Sequence, residues 1–221
     1  QRHERRTGQP AYQLLPGEPG RGLLRLPAPD PGDVYLDFEG DPFVQDGQGR
    51  EYLAGLGDRA GEFRAWWAHD TQAEAEMVGS LLAELVAQWR RHPDMHIYHY
   101  AAYEPAALKR LTGRYGVGEG DLDALLRGER FVDLYSVVRH GLQISKPSYS
   151  IKKLEDFYWG SVRTATADDG AVVDALASVV EYERFLVTGD TDILEPVSYT
   201  HLRAHETGLD LVCRFLLEKK K

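Results

Sequence analysis

One cysteine, Cys213, stands in 221 residues, so no disulfide can close within the chain. Cysteine usage of that kind fits a reducing compartment. Long apolar runs are missing too: none approaches the roughly 18 residues of a membrane-spanning helix. A basic-then-apolar leader is also lacking, and the chain is expected to be cytoplasmic with no membrane partner. Positive charge is in short supply. With 26 Lys and Arg against 35 Asp and Glu the net charge is −9. A broadly basic coat for nucleic acid is thereby excluded, although a cleft in which bound metal ions supply positive charge locally is not. No methionine opens the chain, and Gln1-Arg2-His3-Glu4-Arg5-Arg6 reads as the interior of something longer. Internal repeats and low-complexity tracts are absent.

The pattern that remains is that of one ordinary domain with an appendage, since 43% hydrophobic residues suffice for a single core. Residues 1–32 are rich in Arg, Gly and Pro and read as a linker or interdomain segment. A strand is expected at 33–39, a hairpin-type turn at Asp46-Gly47-Gln48-Gly49, and strands at 51–56 and 63–68. The period then changes. Thr71-Gln72-Ala73-Glu74 has the form of a capping box, and Met77, Val78, Leu81, Leu82, Leu85, Val86 and Trp89 follow at helical spacing. Arg90-Arg91-His92-Pro93 ends that helix. A strand at 96–100 leads to a helix opened by Tyr103-Glu104-Pro105, with Pro105 suited to its first position. A short helix at 121–127 and a strand at 131–135 come next. Helices at about 136–141, 150–158 and 171–188 complete the domain. The last carries Val172, Leu176, Val179, Val180 and Leu186 as its buried stripe and Gly189 as its C-cap. Trp66, Trp67 and Trp89 read as packing residues. The succession β-β-β-α-β-α-β-α predicts an α/β fold: an antiparallel three-strand meander plus two parallel strands in one mixed sheet, with helices on both faces.

Sites in such sheets form outside the carboxyl ends of central strands. Asp37-Phe38-Glu39 sits at such an end, after Val34-Tyr35-Leu36 and before Gly40-Asp41-Pro42. Residues at i and i+2 share a strand face, so both carboxylates project the same way, about 7 Å apart. Like charges held so close are best explained by a cation between them. A solvated strand edge is the plain alternative, but the apolar residues on both faces before Asp37 mark a covered central strand. Glu104, just past the next strand, either answers the helix dipole or reaches into the same pocket as a third oxygen ligand. Asp133 is either a group supporting that pocket or a hydrogen-bonded structural residue. His99 either donates to a carboxylate or is a satisfied core histidine.

Asp37-Phe38-Glu39 resembles the first motif of the ribonuclease-H-like exonucleases that carry the Asp-Glu-Asp-Asp signature. His99-Tyr100-Ala101-Ala102-Tyr103-Glu104, with Leu108 four residues on, is similar to their second, with Tyr for Asn at 100, Tyr for Phe at 103 and Glu for Asp at 104. Together with 36–42, 98–104 and Ser148-Tyr149-Ser150-Ile151-Lys152-Lys153-Leu154-Glu155, the match most resembles the ribonuclease-H-like domain of RecB-like nucleases, over about 33–195. A RecB-type nuclease module typically precedes that domain, and a helicase follows it in many members.

The resemblance implies two-metal phosphodiester hydrolysis of DNA or RNA with Mg²⁺ or Mn²⁺, the ions about 3.5 to 4 Å apart. Asp37 would bridge the ions, Glu39 would hold the water-activating one and Glu104 the second. Lys152 and Lys153, after a helix cap at Ser150, either offer one of them to a phosphate or lie on a solvated helix face. The family's last motif, an Asp preceded four residues earlier by Tyr, should follow Ile193-Leu194-Glu195. At that point residues 197–221 instead resemble translated sequencing-adaptor read-through, a non-native tail. His201 and Glu206 mimic the alternative motif by coincidence, so the fourth ligand is absent from this chain. The domain division expected is therefore 1–32, 33–196 and 197–221. Two other classes stay open: a non-catalytic nucleic-acid-binding module of the larger protein, and a metal-independent hydrolase using Asp37 and Glu39 as an acid–base pair.

Overall fold

The computed structural model describes residues 2–157 and 175–194. Its strands are β1 (Tyr12–Leu14), β2 (Val34–Asp41), β3 (Arg50–Asp58), β4 (Phe63–Trp67), β5 (Ile97–His99), β6 (Phe131–Asp133) and β7 (Leu142–Ile144). Five of them form the central sheet in the order β4-β3-β2-β5-β6. β2, β3 and β4 are an antiparallel meander, while β5 and β6 run parallel to β2. The predicted mixed sheet is the one found, and β2 is its middle strand.

Helices cover both faces. One is packed by α3 (Thr71–Arg91), α4 (Tyr103–Tyr115) and α5 (Glu119–Arg127). Val34, Leu36 and Phe38 of β2 alternate into that face and meet Met77, Val78, Leu81, Leu82 and Leu85 of α3, Leu108 and Leu111 of α4, and Leu122 and Leu125 of α5. Each such side chain, fully buried, contributes about 1.5–3 kcal/mol. Trp66 and Trp89 pack at the edge of this core, as expected of packing residues. The opposite face has divided cover. Tyr35, Tyr98 and Val132 pack with Leu134, Val137 and Val138 of α6 (Leu134–Gly141), whereas Tyr52 and Leu53 pack with Tyr182 of the helix Ala175–Thr188, Leu194 and Trp67.

Several local expectations need correction. Asp70, not Thr71, caps α3: its extended backbone lets Oδ1 accept the Ala73 N–H at 2.8 Å. Glu74 turns away from the helix end and is completely buried under β3. There Oε1 accepts the Glu51 N–H at 2.6 Å, and Oε2 accepts the Tyr115 hydroxyl and lies 3.6 Å from Arg114 Nη1. Pro105 occupies the third helical position of α4, where its missing N–H still costs no helical bond. β6 stops at Asp133 because Leu134, Val137 and Val138 already carry helical spacing toward the sheet. Part of the expected 46–49 turn is a short helix, α2 (Val44–Gly47), with a register shift between Glu39 and Gly40. Among the described side chains of the helix Ala175–Thr188, Ser178 and Tyr182 are buried and Val179 packs against the same cluster as expected, while Val180 and Leu186 are exposed; the side chains of Val172 and Leu176 lie outside those described. Gly189, at φ 69°, caps it as expected, its N–H donating to the Phe185 carbonyl.

The Pro- and Gly-rich start is also more ordered than its composition implies. It holds α1 (Arg2–Thr7), β1 and a 3-10 turn at Gly22–Arg25. β1 pairs antiparallel with β7, and Leu23 is buried against the α6 side of the sheet. A three-residue strand is too short to leave a period-2 signal.

Asp33, fully buried, ties the strand starts together by accepting the N–H groups of Asp30 and His96, each at 2.9 Å. The His96 ring lies 3.9 Å from the same carboxylate. Burial nevertheless holds the His96 pKa below its usual 6.5, with Arg130 adding to the effect and Asp33 opposing it. The unfolded chain therefore takes up this proton first. His96 contributes stability in full above pH 6.5, and that contribution is lost as pH falls through 6.5 toward the folded value. Chemical denaturation at about pH 7.5 and about pH 5.5 should show a smaller loss of stability on acidification for His96→Gln than for the wild type.

Candidate active site

Asp37 and Glu39 project from the face of β2 that also carries Tyr35, at the strand's carboxyl end, where the apolar cover divides. They are 9% and 6% exposed, so both carboxylates have given up most of their water. Across the sheet Asp37 faces Gly55, which has no side chain to offer from β3, and Glu39 faces Leu53. Asp37 Oδ1 accepts the N–H of Phe38 at 3.0 Å. Both residues line one cleft of about 540 Å³, together with Asp41, Glu51, Tyr103 and Arg110.

Glu104 arrives from the other side. It lies in the first turn of α4 and is 3% exposed. The preceding Ala101 has φ +66°, a left-handed conformation that costs a non-glycine residue energy. Asp133 fixes that turn by accepting the Ala101 N–H at 2.9 Å, a structural hydrogen bond placed just before Glu104. His99 Nδ1 stands 3.5 Å from Glu104 Oε2, outside hydrogen-bond geometry. Glu104 opens on an adjoining cavity of about 470 Å³ walled by Tyr100, Tyr135 and Tyr149, and Ile151 borders both spaces. Asp37 and Glu39 thus share one cleft and Glu104 lines its neighbour. Among the described residues no group of three or more His, Cys, Asp and Glu side chains is placed to hold a metal ion. Lys152 is exposed on α7 (Ile151–Leu154), next in sequence to Ile151. The segment in which a fourth ligand was sought, and residues 197–221 as a whole, lie outside the described residues.

Four lining residues escaped the sequence reading. Asp41 is 1% exposed, and its Oδ1 accepts the Phe43 N–H at 2.8 Å. Its Oδ2 is buried and has no hydrogen-bond partner among the described residues. A third acid at i+4 from Asp37 was the available signal. Glu51 is 2% exposed on β3 opposite Gly40. The Tyr103 hydroxyl donates toward its two oxygens at 3.0 and 2.9 Å, and Arg110 pairs with it. Burial pushes the Glu51 carboxyl up, and Tyr103 and Arg110 oppose this without cancelling it. Tyr103 is itself pushed up, by burial first and then by the Glu51 charge. These contacts join residues far apart in the chain and leave no local pattern.

Residues 34–201, more than half of the chain, match the family model of the RNase_H superfamily. The chain belongs to the RNase_H superfamily. No curated protein and no solved structure matched it. RNase H-like proteins generally hydrolyse nucleic acids and typically use divalent metals, which makes a nuclease-type hydrolase with a nucleic-acid substrate the coarse description of this domain. Among the described residues no helix is long and apolar enough to cross a membrane.

The donor set suits such an ion. Mg²⁺ and Mn²⁺ prefer hard oxygen ligands, and Mg²⁺ commonly takes only one or two carboxylates while keeping waters and substrate phosphates. Two buried carboxylates on one strand face, opening on a cleft, meet that requirement.

Proposed function

We propose that this domain is a metal-dependent 3′→5′ exonuclease acting on DNA or RNA by a two-metal mechanism, as part of a larger RecB-like nuclease of the kind often fused to a helicase. The observation carrying this reading is the pair of buried carboxylates, Asp37 and Glu39, on the central strand of an RNase_H superfamily fold. Asp37 and Glu39 would hold the divalent ions, with Glu104 engaging the second through water from the adjoining cavity. Bound ions supply positive charge to the phosphodiester oxygens and acidify water. The protein's own part is positional. β2 fixes the two carboxylates on one face, Asp133 sets the turn that presents Glu104, and the divided cover leaves room for a strand to enter. Lys152, exposed beside Ile151, would meet a phosphate.

One observation favours a second reading, a non-catalytic nucleic-acid-binding module: Glu104 opens on the neighbouring cavity rather than on the cleft of Asp37 and Glu39. An assay on end-labelled single strands with Mn²⁺ and with EDTA separates the two. It should be run on this chain and on a version ending in Tyr-x-x-x-Asp in place of residues 197–221. Shortening from the 3′ end only with metal supports the exonuclease. Binding without cleavage supports the module. Hydrolysis indifferent to EDTA overturns both and returns the acid–base reading.

A further inference from the structure

The cleft is acidic where its substrate would be. Asp37, Glu39, Asp41 and Glu51 line it against two arginines, Arg50 and Arg110. Phosphates of an entering strand need cationic donors of their own, because most protein–nucleic acid hydrogen bonds go to the backbone. Arg50 is turned away from an entering strand: its Nη1 donates to the His69 carbonyl at 3.0 Å, and its Nε is buried, without a hydrogen-bond partner among the described residues. Arg110 is different. Its hydrogen-bond partner among the described residues is Glu51, reached through Nη2, and its side chain is 39% exposed. A guanidinium carries five N–H donors in a rigid fork, so most of them remain to be used.

The tether is built into three elements. Tyr103 and Arg110 stand seven residues apart on α4, hence on one helix face, and both engage Glu51 of β3. The Glu51 backbone N–H is in turn held by the buried Glu74 of α3. Gly40 of β2 completes the fit, since a Cβ there would lie 2.3 Å from Glu51 Oε2. The carboxylate therefore fills the space beside Gly40, one residue from Glu39, and carries the guanidinium to the cleft wall. Planar forks fixed on one side by a carboxylate suit bidentate capture of phosphate on the other.

We propose that Arg110, held by Glu51 and Tyr103, is a substrate-binding residue that contacts a backbone phosphate of the single strand entering the cleft beside Glu39; this rests on the nucleic-acid reading above. The competing role is charge compensation of Glu51 alone. Fluorescence anisotropy of labelled oligonucleotides in EDTA, across a salt series, decides between them. Wild type should bind, and Arg110→Gln should bind about tenfold more weakly at low salt. The slope of log affinity against log salt should become shallower by about 0.7, one single-strand phosphate contact. Arg110→Lys should keep the slope and lose part of the affinity. Arg127→Gln, an 80%-exposed control on α5, should change neither. Should Arg110→Gln fail to fold, Glu51→Gln with Arg110→Gln removes the carboxylate charge left unpaired, and the same shallower slope is expected. A wild-type slope in the folded variant overturns the phosphate contact while leaving nucleic-acid binding intact. No binding by the wild type in EDTA, together with neither binding nor cleavage in Mn²⁺, overturns both.

Discussion

Replacing Asp37 by asparagine should lower metal-dependent cleavage by at least about a hundredfold, the upper end of what losing a mere outer-sphere partner costs a metal site. Glu39→Gln should do the same. The reason is the donor chemistry: a hard divalent ion needs anionic oxygen, and each amide keeps the shape while removing the charge. Folding should survive. The amide introduced by Asp37→Asn retains a carbonyl oxygen for the Phe38 N–H, bonded at 3.0 Å in the native protein, and the variant relieves repulsion between two buried acids of one strand face. Melting temperatures in EDTA within a few degrees of wild type would separate lost chemistry from lost structure. An Asp37→Asn protein that cleaves within about threefold of wild type would remove Asp37 from the metal-bearing set.

A large structural effect is expected from Glu74→Ala. Glu74 is fully buried and joins three elements through the Glu51 N–H, the Tyr115 hydroxyl and Arg114. Its removal leaves these groups without their buried partner, which typically costs about 3–5 kcal/mol. For a domain of this size that corresponds to a fall of about 6–20 °C in melting temperature, at roughly 2–4 °C per kcal/mol. Were Glu74 only the acid of a capping box, as the pattern Thr71-Gln72-Ala73-Glu74 implies, the loss would be about 1 kcal/mol. Thermal unfolding followed by circular dichroism distinguishes the two directly.

Glu74 also shows where sequence reading reaches its limit. Periodicity revealed α3, the meander, the two parallel strands and the middle place of β2, because alternation and helical spacing are local signals repeated many times. The common direction of Asp37 and Glu39 was legible for the same reason: two residues at i and i+2 of one strand must share a face, and here they share a cleft. Glu104 was legible only as a candidate, since its direction depends on the left-handed Ala101 turn fixed by Asp133, a contact across 32 residues. The Glu51–Tyr103–Arg110 set and the β1–β7 pairing depend on tertiary proximity, whereas the Asp70 cap is local and was hidden by Thr71, an equally suitable capping residue one position on. Pro- and Gly-rich composition at 1–32 spoke for a connector and hid a strand of three residues.

The most direct test of the central claim, that the acids of β2 bind divalent metal, needs no substrate and no turnover. Thermal melts of this chain are compared in EDTA and in Mn²⁺ at about 100 times its dissociation constant, where binding to the folded state alone adds about 2.7 kcal/mol. At this size that is a rise of roughly 5–11 °C. The predicted result is that rise in the wild type and its loss in both Asp37→Asn and Glu39→Gln. No rise in the wild type, or an equal rise in the two variants, would contradict it.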